Sequence, residues 1–168
     1  MRIRLGSELY GGARFLHLVL VHPEIHSNTG NIARTSVAIG ADLHLVKPLG
    51  FSLEDRYLKR AGLDYWPQVR LHIHESMEEL LPMQAEYWLF SAHGRPFGDV
   101  QFGKDPWLFF GRESAGLEPE IIAAHEERVL RIPMRLGVRS LNLGNAVAIA
   151  AYEALRQQDY PGLDLEGR

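Results

Sequence analysis

The chain contains no cysteine. That excludes disulfide bridges, thiolate zinc sites and the covalent thiolate route to a pyrimidine C5, and it fits a reducing cytoplasm. No apolar run approaches the roughly 18 residues that a membrane-spanning helix needs, so no membrane partner is expected. Positive charge is not in excess either: 18 Lys and Arg stand against 21 Asp and Glu, a net charge of −3. A nucleic-acid ligand would have to be met by a local basic patch. Three site signatures are also missing. No G-x-G-x-x-G follows the first apolar run, no Lys-Ser/Thr follows Gly111 and Gly116, and no G-x-S-x-G elbow occurs. Their absence argues against a dinucleotide site, a phosphate loop and a serine hydrolase.

What is present is the material for one domain. At 168 residues, with 46% hydrophobic and 23% charged residues, the composition suits a globular chain with a single core. Arg2 and Arg4 are followed by no apolar stretch, so the start is not read as a secretory signal. Residues 1–14 are expected to be an extension and residues 15–168 the domain.

The leucine-rich and β-branched residues 15–21 read as a first strand, closed by His22-Pro23-Glu24. Residues 27–31 then lead into residues 32–39, in a helix that Asn28 or Thr29 can cap and Gly40 stops, with Arg34 in its second turn. Further strands are expected at residues 42–47, 69–74, 87–91, 107–110 and 129–132. Ser52-Leu53-Glu54-Asp55 opens a short helix whose polar side is Arg56, Lys59 and Arg60. Ser76 and Glu79 make a capping box for residues 77–81, and Pro119 starts a helix to about Ala124. Strands alternating with helices predict an α/β fold with a mostly parallel sheet flanked by helices. The fourth, fifth and sixth strands empty into polar loops at residues 92–96, 111–117 and 133–145. In such folds a ligand sits where loops of this kind converge.

The last loop runs into a helix over residues 146–157, where Val147, Ala150, Ala151, Ala154 and Leu155 share one face. Ser140 and Asn142 ahead of it are suited either to capping that helix or to holding a ligand at its positive end, and the segment alone leaves both open. The small-sided face offers more apolar surface than one sheet layer covers. This helix and the first helix are therefore expected to meet a second copy of the chain. His72 and His74 share a face of one strand. With no cysteine and no evident carboxylate partner, a solvated or half-buried face is expected there and no metal.

Three ordered blocks carry a resemblance to a known family. They are Asn28-Thr29-Gly30-Asn31-Ile32-Ala33-Arg34-Thr35, then Phe109-Phe110-Gly111-Arg112-Glu113-Ser114-Ala115-Gly116-Leu117, then Ile132-Pro133-Met134 with Arg139-Ser140-Leu141-Asn142-Leu143-Gly144-Asn145-Ala146. Together they resemble the SPOUT superfamily of RNA methyltransferases, and within it the TrmL branch of small tRNA wobble-nucleotide 2′-O-methyltransferases. His22-Pro23-Glu24-Ile25, Pro48-Leu49-Gly50-Phe51, Arg60-Ala61-Gly62-Leu63-Asp64-Tyr65 and Tyr160-Pro161-Gly162 extend the likeness across nearly the whole chain.

The resemblance implies a C-terminal trefoil knot, a homodimer, and S-adenosylmethionine held by the threaded chain, with S-adenosylhomocysteine as product. Family positions for the cofactor fall on Phe90, Gly111, Ile132 and Ser140, with Met134 and Leu141 beside them. Arg34 is implied to lie nearest the attacking hydroxyl, with Asn31, Glu113, Ser140 and Asn142 completing a polar shell. Arg34, Arg56, Lys59, Arg60, Arg135 and Arg139 would meet RNA phosphates, contacts that position rather than specify. The implied reaction is methyl transfer to the ribose 2′-hydroxyl of the wobble nucleotide, cytidine or modified uridine, in a tRNA anticodon stem-loop. The family role of Arg34 is often described as general base, yet a guanidinium is a poor base. Polarising the 2′-oxygen or neutralising the adjacent phosphate is the other reading, and its part in proton transfer stays open. Gly144 departs from the pattern, since a serine often stands between the two asparagines. Two rivals stay open. One is a 2′-O-methyltransferase for another tRNA or rRNA position, separated by mapping the methylated nucleotide. The other is a non-catalytic RNA-binding module of the same fold, which need not bind the cofactor.

Overall fold

The computed structural model describes residues 16–54, 65–81 and 86–167. The expected extension at residues 1–14, and Arg56, Lys59 and Arg60, lie outside the described residues. The strands are β1 (His17–Val21), β2 (Asp42–Val46), β3 (Leu71–His74), β4 (Tyr87–Pro96), β5 (Trp107–Phe110) and β6 (Val129–Arg131). The helices are α1 (His26–Ile39), α2 (Pro119–Ala124) and α3 (Leu143–Arg156). The strands form one sheet in the order β3-β2-β1-β5-β4-β6, and every pairing is parallel.

A parallel sheet is covered on both faces, so its inner strands are apolar throughout. Leu18, Leu20, Leu43, Leu45, Leu108 and Phe110 pack into one cluster with Ile32 of α1 and Val147, Ala150, Ala151 and Ala154 of α3. Val19, Val21, Val46, Leu89 and Phe109 pack on the opposite face with Met77, Leu80 and Leu117. Among the described residues, no helix is long and apolar enough to cross a membrane.

Four expectations change. α1 starts at His26, ahead of the cap expected at Asn28 or Thr29, and its N-cap Ile25 makes no side-chain cap. The N–H of Ile25, and that of Glu24 before it, are met from elsewhere in the chain, as described below. β4 continues through the expected loop to Pro96. Its register slips between Phe90 and Arg95, and Arg95 then pairs with Leu130. Gly94 permits that return, because a Cβ there would stand 2.6 Å from the Val129 carbonyl oxygen. Residues 77–80 form a turn closed on the Met77 carbonyl rather than a capped helix. The fourth concerns α3. Its Ala-rich face is spent inside the protomer, with Val147, Ala150, Ala151 and Ala154 all at 0% exposure. Small side chains let α3 sit against both β5 and α1, so this face meets its own core and not a second copy.

Candidate active site at the strand ends

β5, β4 and β6 are neighbours, and Phe90 stands opposite both Phe110 and Leu130. Phe90, Gly111 and Ile132 therefore stand side by side, Phe90 inside β4 at its register slip and Gly111 and Ile132 just past the ends of β5 and β6. The order of strands reverses between β1 and β5, which is where open parallel sheets form a binding crevice. Phe90 stacks on Phe110 with ring centroids 4.9 Å apart, closing the floor. Ile132 and Met134 are half-buried just beyond β6, while Ser140 and Leu141 are exposed just ahead of α3. Arg135 and Arg139 are exposed in the same loop, whose turn is closed by Val138 N–H on the Arg135 carbonyl at 3.2 Å.

Gly111 is buried for a local reason. A Cβ there would lie 2.0 Å from the Gly116 carbonyl carbon and the Leu117 nitrogen. The loop folds back on itself, with Gly116 N–H donating to the Arg112 carbonyl at 2.8 Å. The absent side chain thus serves loop closure first.

Glu113 leaves that loop to brace α1. Its Oε2 accepts from Glu24 N–H at 2.8 Å, and its Oε1 accepts from Ile25 N–H and Asn28 Nδ2, both at 3.2 Å. A carboxylate at a helix N-terminus satisfies free donors and faces the positive end of the dipole. The brace is reciprocal. Glu24 accepts from Ser114 N–H and Ser114 Oγ, each at 2.9 Å, and these bonds hold its carboxyl below the usual range.

Asn28 is the centre of this arrangement, and sequence reasoning assigned it only a capping role. It is 8% exposed. Its Oδ1 accepts from Asn142 Nδ2 at 3.0 Å while its Nδ2 donates to Glu113. Asn142 in turn caps α3, its Oδ1 accepting from Asn145 N–H at 3.3 Å. The capping expected of Asn142 is therefore present. One buried amide thereby joins all three sequence blocks. Asn31 is exposed on α1, and a Cβ on Gly144 would stand 4.0 Å from its Cβ. Arg34 is exposed one turn further along, its guanidinium carbon 5.0 Å above the Tyr65 ring.

The model of the SpoU rRNA Methylase family matches residues 15–152. The chain belongs to that family. A Polaromonas sp. (strain JS666 / ATCC BAA-500) relative named tRNA (cytidine(34)-2′-O)-methyltransferase is 41% identical over 152 residues, covering 87% of this chain and 93% of its own. A solved structure described as "Structural insights into the 2-OH methylation of C/U34 on tRNA" is 50% identical with a TM-score of 0.82, covering 88% of this chain and 99% of that one. An AdoMet-bound rRNA methyltransferase from Sinorhizobium meliloti shares the fold, at 24% identity and a TM-score of 0.76 over 89% of this chain and 59% of its own.

This SpoU-family chain also carries a histidine ladder that sequence reasoning only half saw. Asp105 Oδ1 lies 3.1 Å from His17 Nε2, His17 Nδ1 lies 3.0 Å from His44 Nε2, and His44 Nδ1 lies 3.0 Å from His74 Nε2. With Asp105 accepting, each ring carries one proton and donates it toward Asp105, so all three are neutral. Burial, followed by the neighbouring histidines, pushes His44 down to about 2. Burial would raise the Asp42 carboxyl, but hydrogen bonds from His72 and Arg70 outweigh it and hold Asp42 well below the carboxylate range. Asp42 is thus the partner that His72 lacked in the sequence. The clue was a His or Asp at alternate positions of three strands that pair in register.

Ligand-type atoms of His17, Asp42 and His44 lie within 4.8 Å of one another and could meet a cation. Each already has a protein partner, and the Arg70 guanidinium shares the same carboxylate. An open cleft of about 630 Å³ lies elsewhere, at the start of β6, lined by Trp88, Arg95 and Arg128 among others. It is not the crevice built by the three blocks, which the geometry and the family favour.

Proposed function

We propose that this chain is an S-adenosylmethionine-dependent methyltransferase acting on the ribose 2′-hydroxyl of the wobble nucleotide, cytidine or modified uridine, in a tRNA anticodon loop. The observation that carries the reading is the union of the three blocks at Asn28, in a chain whose relatives bear that name at high coverage.

The strand ends suit the cofactor. Phe90, Ile132, Met134 and Leu141 offer apolar walls, and Ser140 offers an exposed hydroxyl. S-adenosylmethionine supplies an electrophilic methyl on a sulfonium. Transfer forms a bond from the ribose 2′-oxygen to the methyl carbon, breaks the sulfur–carbon bond and releases the hydroxyl proton to solvent. S-adenosylhomocysteine leaves as product. The protein's part is alignment of oxygen, carbon and sulfur, a large share of such catalysis. Arg34 sits on the nucleotide side and polarises the 2′-oxygen or neutralises the adjacent phosphate. Glu113 and Asn142 act by holding α1, α3 and the loops in register, with Asn31 and Ser140 nearer the ligands. Arg135 and Arg139, joined by Arg56, Lys59 and Arg60, carry the RNA backbone.

The same reading includes a C-terminal trefoil knot, in keeping with a last helix that returns from edge strand β6 to β5 and α1. It also includes residues 1–14 as an extension, a homodimer and a cytoplasmic site of action. The outer side of α3 carries Ile149 and Tyr152, 41% and 46% exposed, which would face the second copy.

The test is a tRNA bearing a single 2′-deoxy nucleotide at the wobble position. It is expected to bind comparably and accept no methyl group. Methylation of that substrate overturns the ribose assignment. Methylation lost only when a different nucleotide is made deoxy moves the activity to another RNA position.

A further inference from the structure

We propose that Tyr65 is the positioning residue for Arg34, holding its guanidinium on the nucleotide side of α1 without neutralising it. The inference rests on the methyltransferase reading above and adds a residue to it.

Arg34 is exposed, and its guanidinium carbon stands 5.0 Å above the Tyr65 ring centroid. Arg95 and Arg128 also stand over aromatic rings, away from the three blocks. Three other arginines are paired with carboxylates: Arg156 with Glu153 at 2.8 Å, Arg112 with Glu118 at 3.0 Å, and Arg70 with Asp42. Among the described residues, Arg34 has no such partner. The difference matters chemically. A carboxylate would cancel the charge that a phosphate or a developing 2′-oxyanion needs. An aromatic face attracts the cation through its quadrupole and leaves the N–H donors around the guanidinium edge free to bond an oxygen.

Tyr65 is suited to the task because its own place is set by the fold. Its carbonyl accepts from Gln68 N–H at 2.8 Å, closing the 3-10 turn Trp66–Gln68. Trp66 of that turn packs against the core that also holds Leu49 and Leu53. The turn lies against α1, which carries Arg34. A ring anchored through backbone and core therefore meets a long side chain that would otherwise sample many rotamers. Restricting those rotamers favours the geometry needed at the reacting oxygen.

The experiment compares Tyr65→Phe and Tyr65→Leu, each alone and combined with Arg34→Ala, in single-turnover methylation of tRNA. Tyr65→Phe keeps the ring and is expected to keep kcat. Tyr65→Leu is expected to lower kcat about two- to fivefold, the equivalent of a cation–π contact of about 0.5–1 kcal/mol. KM for tRNA and Kd for S-adenosylmethionine are expected to stay at the wild-type value. In the Arg34→Ala background the Tyr65→Leu change is expected to cost nothing further. An undiminished loss in that background, or full kcat in Tyr65→Leu alone, overturns the proposal.

A second readout does not depend on activity. In wild-type protein the Arg34 Nε–H resonance is expected to be shifted by the Tyr65 ring current, retained in Tyr65→Phe and lost in Tyr65→Leu. A wild-type resonance at the position of a free arginine overturns the proposal even where Tyr65→Leu fails to fold. No methyl transfer by the wild-type protein would instead refute the function and leave this contact standing.

Discussion

Asn142 donates from its Nδ2 to Asn28 Oδ1 at 3.0 Å, across 114 positions of sequence. The other end of the same Asn28 amide donates to Glu113, so both its donor and acceptor sides are used and its orientation is determined. The loop after β5, the start of α1 and the start of α3 are therefore mechanically one unit. Displacing any of them strains the contacts of the other two.

Asn28→Ala leaves a Glu113 oxygen and the Asn142 amide short of a partner in a part-buried place. Glu113 Oε1 keeps the Ile25 N–H and Asn142 is open to solvent, so the cost is that of two net hydrogen bonds, about 1 kcal/mol each. Urea unfolding is expected to show a loss of about 2 kcal/mol with an unchanged m-value. A loss below about 0.5 kcal/mol would mean that the network does not hold the loops.

Glu113→Gln keeps the shape and removes the charge and one acceptor from the N-terminus of α1. Stability is expected to fall by about 1–2 kcal/mol, in line with charge-assisted bonds at a helix end. The pH–rate profile is expected to keep its shape. Loss of one limb would instead assign Glu113 an acid–base role.

Gly111→Ala places a Cβ 2.0 Å from backbone atoms of Gly116 and Leu117, which cannot rotate away. The melting temperature and the affinity for S-adenosylmethionine are expected to fall together, with an overpacking cost of about 1–3 kcal/mol. Weakened cofactor binding with unchanged melting would show that this glycine faces the ligand and not its own loop.

The histidine ladder makes stability acid-sensitive. His44 titrates at its ordinary 6.5 in the unfolded chain and is held at about 2 in the folded one. Its contribution is complete above about pH 6.5. It is lost as pH falls toward the folded value, because only the unfolded chain then takes up the proton. The slope is about 1.4 kcal/mol per pH unit per fully shifted histidine. His17 and His74, also lowered by burial, add in the same direction, and Asp42 adds below its ordinary 3.8. Urea midpoints measured between about pH 7.5 and 4.5 are expected to fall steadily. Midpoints flat across that range would remove the neutral assignment of the ladder.

The exposed side of α3 leads to an oligomeric expectation. Sedimentation at micromolar concentration is expected to give about twice the chain mass of 19.0 kDa. Tyr152→Asp is expected to shift it toward the monomer, since a charge at a closed interface has no partner. A monomer alone in the wild type would overturn the dimer.

Much of the fold was legible in the sequence. Trp107–Phe110 and Pro119–Ala124 stand where the apolar run and the helix-starting proline put them, because a strand buried on both faces must be apolar and a proline suits a first turn. The three blocks were legible too, through their resemblance to a known family, and the second and third also as polar loops after strands. Their joining was not. The start of α1 was misjudged because the N–H groups of Glu24 and Ile25 at its entrance are met by Glu113, almost ninety positions away, and no local pattern encodes a brace supplied from the loop after β5. His17, His44 and His74 became a ladder only when β1, β2 and β3 paired in register, since the alternation in each strand says which side a residue faces and not which residue lies beside it. The Ala-rich face of α3 was readable as a surface for close approach. Whether its partner was this chain's own core or a second copy depended on where the chain returned after β6, and that is decided by packing among distant segments.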